Sequence, residues 1–170
     1  MEQICSISYT PKAKNRSAEF LVSILVVLAA ALYSVTLAVS LYRGVLRLLA
    51  VLLLVAAIFV AYKYLLTSYT YSVFSDEGKT PPCLLVEQKQ GSRSSLVCRV
   101  LLENVLSLSP YDGKSYPAKC YVYTATMRGG SYQLLHAREA GREICVKLEA
   151  DDAFLAELSR AISTANASEN

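Results

Sequence analysis

The chain holds one histidine, five cysteines and one Asp-Asp pair, and these are the side chains whose types and spacing point first to chemistry. Histidine catalysis or a histidine metal site would need His136. It stands midway along an extended segment on the side shared with Tyr132 and Leu134, a setting that predicts a structural role. The pair Asp151-Asp152 has the form of a carboxylate dyad. It directly precedes an amphipathic run, however, and helix capping with attraction to the helix dipole accounts for it. No Gly-x-Ser-x-Gly elbow, no glycine-rich phosphate loop ahead of a helix and no Glu-x-x-His pair occurs. Cys5, Cys83, Cys98, Cys120 and Cys145 are odd in number and show no Cys-x-x-Cys or Cys/His spacing. Four of them fall in strand-like segments, which predicts buried thiols in a reducing compartment. The expectation is a protein that is not an enzyme and carries neither metal nor cofactor.

The elements around these residues divide the chain sharply. Of its 170 residues 54% are apolar, and the excess lies between Phe20 and Leu66. Residues 20–42 contain no charge, and at roughly 1.5 Å per residue a helix of that length spans a hydrocarbon core of about 30 Å. Residues 45–66 are apolar except for Arg47 and Lys63, whose long stems can carry the charge out to headgroups near either end. Only Arg43 and Gly44 with their neighbours separate the two, which predicts an antiparallel transmembrane hairpin with glycine relieving a tight turn. Arg43, Arg47, Tyr62 and Lys63 are the expected interface anchors. Tyr33, Ser34 and Thr36 are candidates for polar contacts to the second helix. A cleaved signal peptide is excluded by the length of the first run and by the second span that follows.

Two spans put both termini on one side. Lys12, Lys14, Arg16 and Lys63 flank that side against Arg43 and Arg47 at the turn, so the positive-inside rule predicts a cytoplasmic N-terminal tail over 1–19 and a cytoplasmic C-terminal domain. The partner this implies first is the lipid bilayer of a cell membrane.

Beyond Leu66 the pattern changes to short runs of period two, separated by polar or glycine-bearing turns, which is β-rich chain. Seven strands are expected, at 69–74, 83–90, 95–102, 105–109, 120–127, 132–138 and 143–149. In the third, Leu96, Cys98 and Val100 should face one way and Val97 and Arg99 the other. In the last, Ile144, Val146 and Leu148 form an apolar face opposite Glu143, Cys145, Lys147 and Glu149. A helix over 152–163 follows, with Phe154, Leu155, Leu158, Ala161 and Ile162 at helical spacing. The tail 166–170 is polar.

This order of elements resembles the pleckstrin-homology-like domains of small bacterial membrane proteins. The stretches that carry the likeness are RVLLENVLSLSP at 99–110 and KLEADDAFLAELSRAI at 147–162. The resemblance covers roughly 67–165. It implies an α+β chain: a transmembrane α-helical hairpin followed by a seven-stranded antiparallel partial barrel, its open end plugged by Phe154, Leu158 and Ile162. Many members carry a tryptophan in that helix and this chain has none, so Phe154 is expected in its place. An OB-like barrel of five strands is the alternative fold.

Eukaryotic pleckstrin-homology domains that hold phosphoinositides use basic residues in the loop between their first two strands. Here that loop offers Lys79, with Lys89 and Arg93 nearby, as a weak basic rim for lipid or partner contact. From Thr67 onward the chain has eleven basic and twelve acidic residues, so the overall charge of +3 comes from the membrane part and gives no footing for nucleic acid. The expected function is a membrane-anchored, non-catalytic interaction or scaffolding module with a protein partner. A lipid-headgroup reader is the alternative. Hairpin packing would allow a homo-oligomer, although no GxxxG motif is present.

Overall fold

The computed structural model describes residues 5–11, 15–38, 42–76, 80–114, 116, 118–127 and 131–167. They fall into two compact units. One is drawn from 14–67 with 126–128, the other from 1–13, 68–125 and 129–170.

The first unit is the hairpin, α1 (Arg16–Ala38) and α2 (Arg43–Tyr64), both long and apolar enough to cross a membrane. The buried residues of α1 are Ala18, Ala29 and Thr36, and those of α2 are Ala50 and Ala57. Small side chains seven apart return to one helix face and let two backbones approach closely, which explains why the seam is alanine while valines and leucines point outward. The hydroxyls expected to reach across stay on their own helix. Ser34 Oγ donates to the Ala30 carbonyl at 2.9 Å and Thr36 Oγ1 to the Tyr33 carbonyl at 2.7 Å, while the Tyr33 ring is exposed. The glycine expected in the turn, Gly44, lies inside α2. The left-handed backbone falls instead on Tyr42, at φ 63°.

Asn15 closes the base of this unit. Its side-chain oxygen accepts from the amides of Ala18, as a helix cap, and Met127, both at 3.4 Å, and its side-chain nitrogen donates to the Tyr64 carbonyl at 3.5 Å.

The second unit contains two four-stranded sheets. The first has the order β1 (Cys5–Tyr9), β2 (Thr67–Asp76), β3 (Thr80–Gln90), β4 (Arg93–Leu101). Strand β1 is a correction to the sequence reading, which made residues 1–19 a tail. Those residues instead supply an edge strand, antiparallel to β2, that sets Ile7 beside Val73 and Tyr9 beside Tyr71. A bulge between Val86 and Glu87 on β3 opposes Cys98 and Leu96 on β4, so Val97 is the extra residue. Leu96 therefore shares the outer face with Glu87 and is 55% exposed, rather than pointing inward with Cys98 and Val100.

After a single 3-10 turn at Leu102–Asn104, the second sheet has β5 (Val105–Pro110), β6 (Lys119–Tyr123), β7 (Tyr132–Glu139) and β8 (Arg142–Glu149), ordered β5-β7-β8-β6. Ala140 (φ 47°) and Gly141 (φ 76°) make the two-residue turn from β7 to β8, the left-handed pair that a tight hairpin requires. Strand β6 pairs with β8 in parallel. This departs from the all-antiparallel expectation, because the chain leaves β5 at one edge and crosses to the other. The crossing lies over the outer face of the sheet: Tyr111 meets Lys147 and Tyr116 meets His136. That cover explains why Leu134 and Cys145, on the face away from the main core, are fully buried. The described chain thus has eight strands, one before the hairpin.

Helix α3 (Asp152–Ala167) starts where Asp151 Oδ1 accepts the Phe154 amide at 2.8 Å and runs four residues past the expected end. Phe154 and Leu158 are buried in the cluster formed by Tyr69, Tyr71, Leu84, Val86, Val146 and Leu148, and Ile162 packs half-buried against it.

A tyrosine hydroxyl links the two sheets through this core. Tyr71 on β2 is fully buried, donates to the Tyr123 carbonyl on β6 and accepts the Glu149 amide of β8 at 3.2 Å. The Tyr123 hydroxyl in turn donates to the Val97 carbonyl on β4 at 3.2 Å. Burial holds the Tyr71 phenol well above its ordinary value of 10.0 and pushes Tyr123 up to about 12, with Cys98 and Tyr121 adding to the latter. Both groups keep their protons in the folded state at pH values where an unfolded tyrosine loses them. Their contribution is therefore whole below the unfolded value of 10.0 and is lost as pH rises through about 12. Denaturant midpoints should hold up to about pH 10 and fall steeply above it. A midpoint unchanged up to pH 12 would show that these phenols are not held in the core.

Candidate functional site

A groove opens beside the core between β1 and α3. Ile7, Ser8 and Tyr9 form one wall and Asp151, Ala153, Phe154 and Glu157 the other, around a groove of about 230 Å³. Each side follows from local rules. Alternation along β1 turns Ile7 and Tyr9 toward the core, and the first turns of α3 put Ala153, Phe154 and Glu157 at the lip. The floor is aromatic: the Tyr9 ring lies 5.7 Å from Phe154 and 6.4 Å from Tyr71. The rim is acidic. Tyr9 is held above its usual phenol range by burial, then by the charges of Asp151 and Glu149, which locates negative potential at this end. Asp151 is engaged as the helix cap and Glu157 accepts from Arg160 at 2.9 Å. An apolar floor between carboxylates can take an apolar side chain carried by a chain with basic neighbours.

A second arrangement lies on the outer face of the second sheet. Lys147 Nζ sits 3.6 Å from the Tyr111 ring centroid and 4.2 Å from that of Tyr132, and these rings meet edge to face at 6.4 Å. Burial lowers the Lys147 ammonium below its usual value, partly offset by Cys120. His136 is half-buried with the Tyr116 ring edge-on at 5.2 Å, as a packed side chain. Among the described residues no three His, Cys, Asp or Glu side chains gather as metal ligands.

The residues marked in the sequence are scattered relative to the groove. Lys89 and Arg93 are exposed on either side of the β3–β4 turn, while Lys79 lies outside the described residues. Arg43, Arg47, Tyr62 and Lys63 are exposed at the ends of α2. Only Phe154, from the helix plug, reaches the groove, and Leu158 and Ile162 stay with the core. The missed residues are Ile7, Ser8 and Tyr9, whose signal was the alternation in CSISY at 5–9. Buried Cys83 and Cys145 match the expected thiols, Cys98 is half-buried, and Cys120 is exposed.

No protein-family model and no curated protein matches the chain.

Proposed function

We propose that this chain is a membrane-anchored, non-catalytic interaction module that presents a pleckstrin-homology-like β domain at the cytoplasmic face and takes a protein partner in the β1–α3 groove. The observation that carries the reading is the groove itself: an aromatic floor with carboxylates at its rim. The hairpin supports anchoring, since only 11% of the most apolar window of each helix is buried and the side chains that face outward need a hydrocarbon surround. Anchoring concentrates such a module near partners in the same membrane. Two packed sheets with Phe154 and Leu158 of a C-terminal helix in the core support the pleckstrin-like assignment. The strand donated from before the hairpin and the parallel β6–β8 pair are this chain's own departures from it.

The test uses the full chain in its native membrane. A photo-crosslinking residue at Ser8 or Ala153 should give the same protein adduct, weakened by Glu157→Lys, with none from Ser94 on the outer face. Adducts that form equally from all three positions, or that ignore Glu157→Lys, would overturn groove recognition.

A second reading, anionic lipid contact, draws on the exposed pair Lys89 and Arg93 at one turn. A fluorophore at Ser92 in nanodiscs should then respond to anionic headgroup content and lose that response in the double Glu variant. A flat response in the unaltered chain would end this reading.

A further inference from the structure

The parallel pairing of β6 and β8 sets Cys120 beside Cys145 in direct register, and the two side chains are hydrogen-bonded to each other. Neighbouring strands lie about 4.8 Å apart, inside the Cα separation of roughly 4.4–6.8 Å that a disulfide spans. Both thiols are free and differ in access. Cys120 is exposed on the edge strand, and Cys145 is fully buried on the face that the β5–β6 crossing covers. The Lys147 ammonium lies on the same face, two residues along β8 from Cys145 and close enough to interact with Cys120.

We propose that Cys120 and Cys145 form a peroxide-responsive disulfide that ties β6 to β8. The exposed Cys120 thiolate attacks a peroxide oxygen, the O–O bond breaks, and Cys120 becomes a sulfenic acid while the departing oxygen takes up a proton. The Cys145 thiol then attacks the Cys120 sulfur. The S–S bond forms as the S–O bond breaks, and the thiol proton leaves with the hydroxide as water. Two thiols and one hydrogen peroxide thus give one disulfide and two waters, and a small thiol reductant reverses the oxidation. In a reducing compartment such a bond is transient, which is the property of a sensor rather than a staple. Its structural effect falls on β6, the edge strand whose Tyr123 carbonyl receives the Tyr71 hydroxyl. Oxidation therefore fixes one side of the link between the two sheets.

The test treats the full chain in nanodiscs with hydrogen peroxide and maps peptides without reduction. The expected product is a linked pair containing Cys120 and Cys145, lighter by two hydrogens than the free peptides and restored by reductant. The melting temperature should rise on oxidation, and Cys120→Ser, at an exposed position, should abolish both changes while folding normally. Oxidation of Cys120 to sulfinic acid with Cys145 still reduced, or a bond from Cys120 only to a second copy, would overturn the proposal.

Discussion

Replacing Phe154 by Ala should lower the unfolding free energy of the β unit by about 3–5 kcal/mol, the usual cost of removing a buried aromatic ring from a packed core. Phe154 is 3% exposed and stands within aromatic contact of both Tyr9 and Tyr71, so its loss leaves a cavity that three elements line and none can fill. The same substitution removes the groove's floor, so stability and partner capture should fall together. Phe154→Leu separates the two effects, because it keeps much of the volume and loses the aromatic surface. Denaturant unfolding of the full chain in detergent checks this, and a loss below about 1 kcal/mol for Phe154→Ala would mean that the ring is not packed in the core.

Deleting residues 1–11 should cost about 2–7 kcal/mol even though it leaves the hairpin and all that follows intact. The estimate sums four cross-strand pairs of β1 with β2, at roughly 0.2–1 kcal/mol each, and the two ring contacts of Tyr9, at roughly 0.5–1.5 kcal/mol each. The truncated chain should melt several degrees lower and lose one wall of the groove. An unchanged melting temperature would show that β1 does not pair with β2. A fragment beginning at Thr67 would carry the same defect, and its failure to bind anything would say little about the module.

The parts of the fold legible in the sequence are those set by local rules. Two apolar runs longer than a soluble helix needs announce the hairpin, and the switch from period two to period 3.6 at Asp151 announces α3. Ala140-Gly141 marks the last turn, because a two-residue hairpin requires left-handed backbone there. What was hidden depends on long-range pairing. Cys5, Ile7 and Tyr9 alternate with Ser6 and Ser8, but five residues before a long apolar helix read as a tail until β2, which follows the hairpin in the chain, supplies the partner. The exposure of Leu96 turns on one bulged residue, Val97, and a single inserted residue reverses the facing of those before it. The apparent strand at 120–127 ends at Tyr123 because β6 is an edge strand with only β8 beside it, and no local pattern signals parallel pairing. The groove was illegible for the same reason: half of it comes from β1.

The most direct test of the account is the sidedness of the two chain ends. Epitope tags at the N- and C-termini, exposed to protease in right-side-out and inverted membrane vesicles, report it in one experiment. If the hairpin spans the membrane and β1 joins β2 at the cytoplasmic face, both tags are cut in inverted vesicles and both are protected in right-side-out ones. Tags cut from opposite sides would contradict the account, since one continuous sheet cannot be built from both faces of a bilayer.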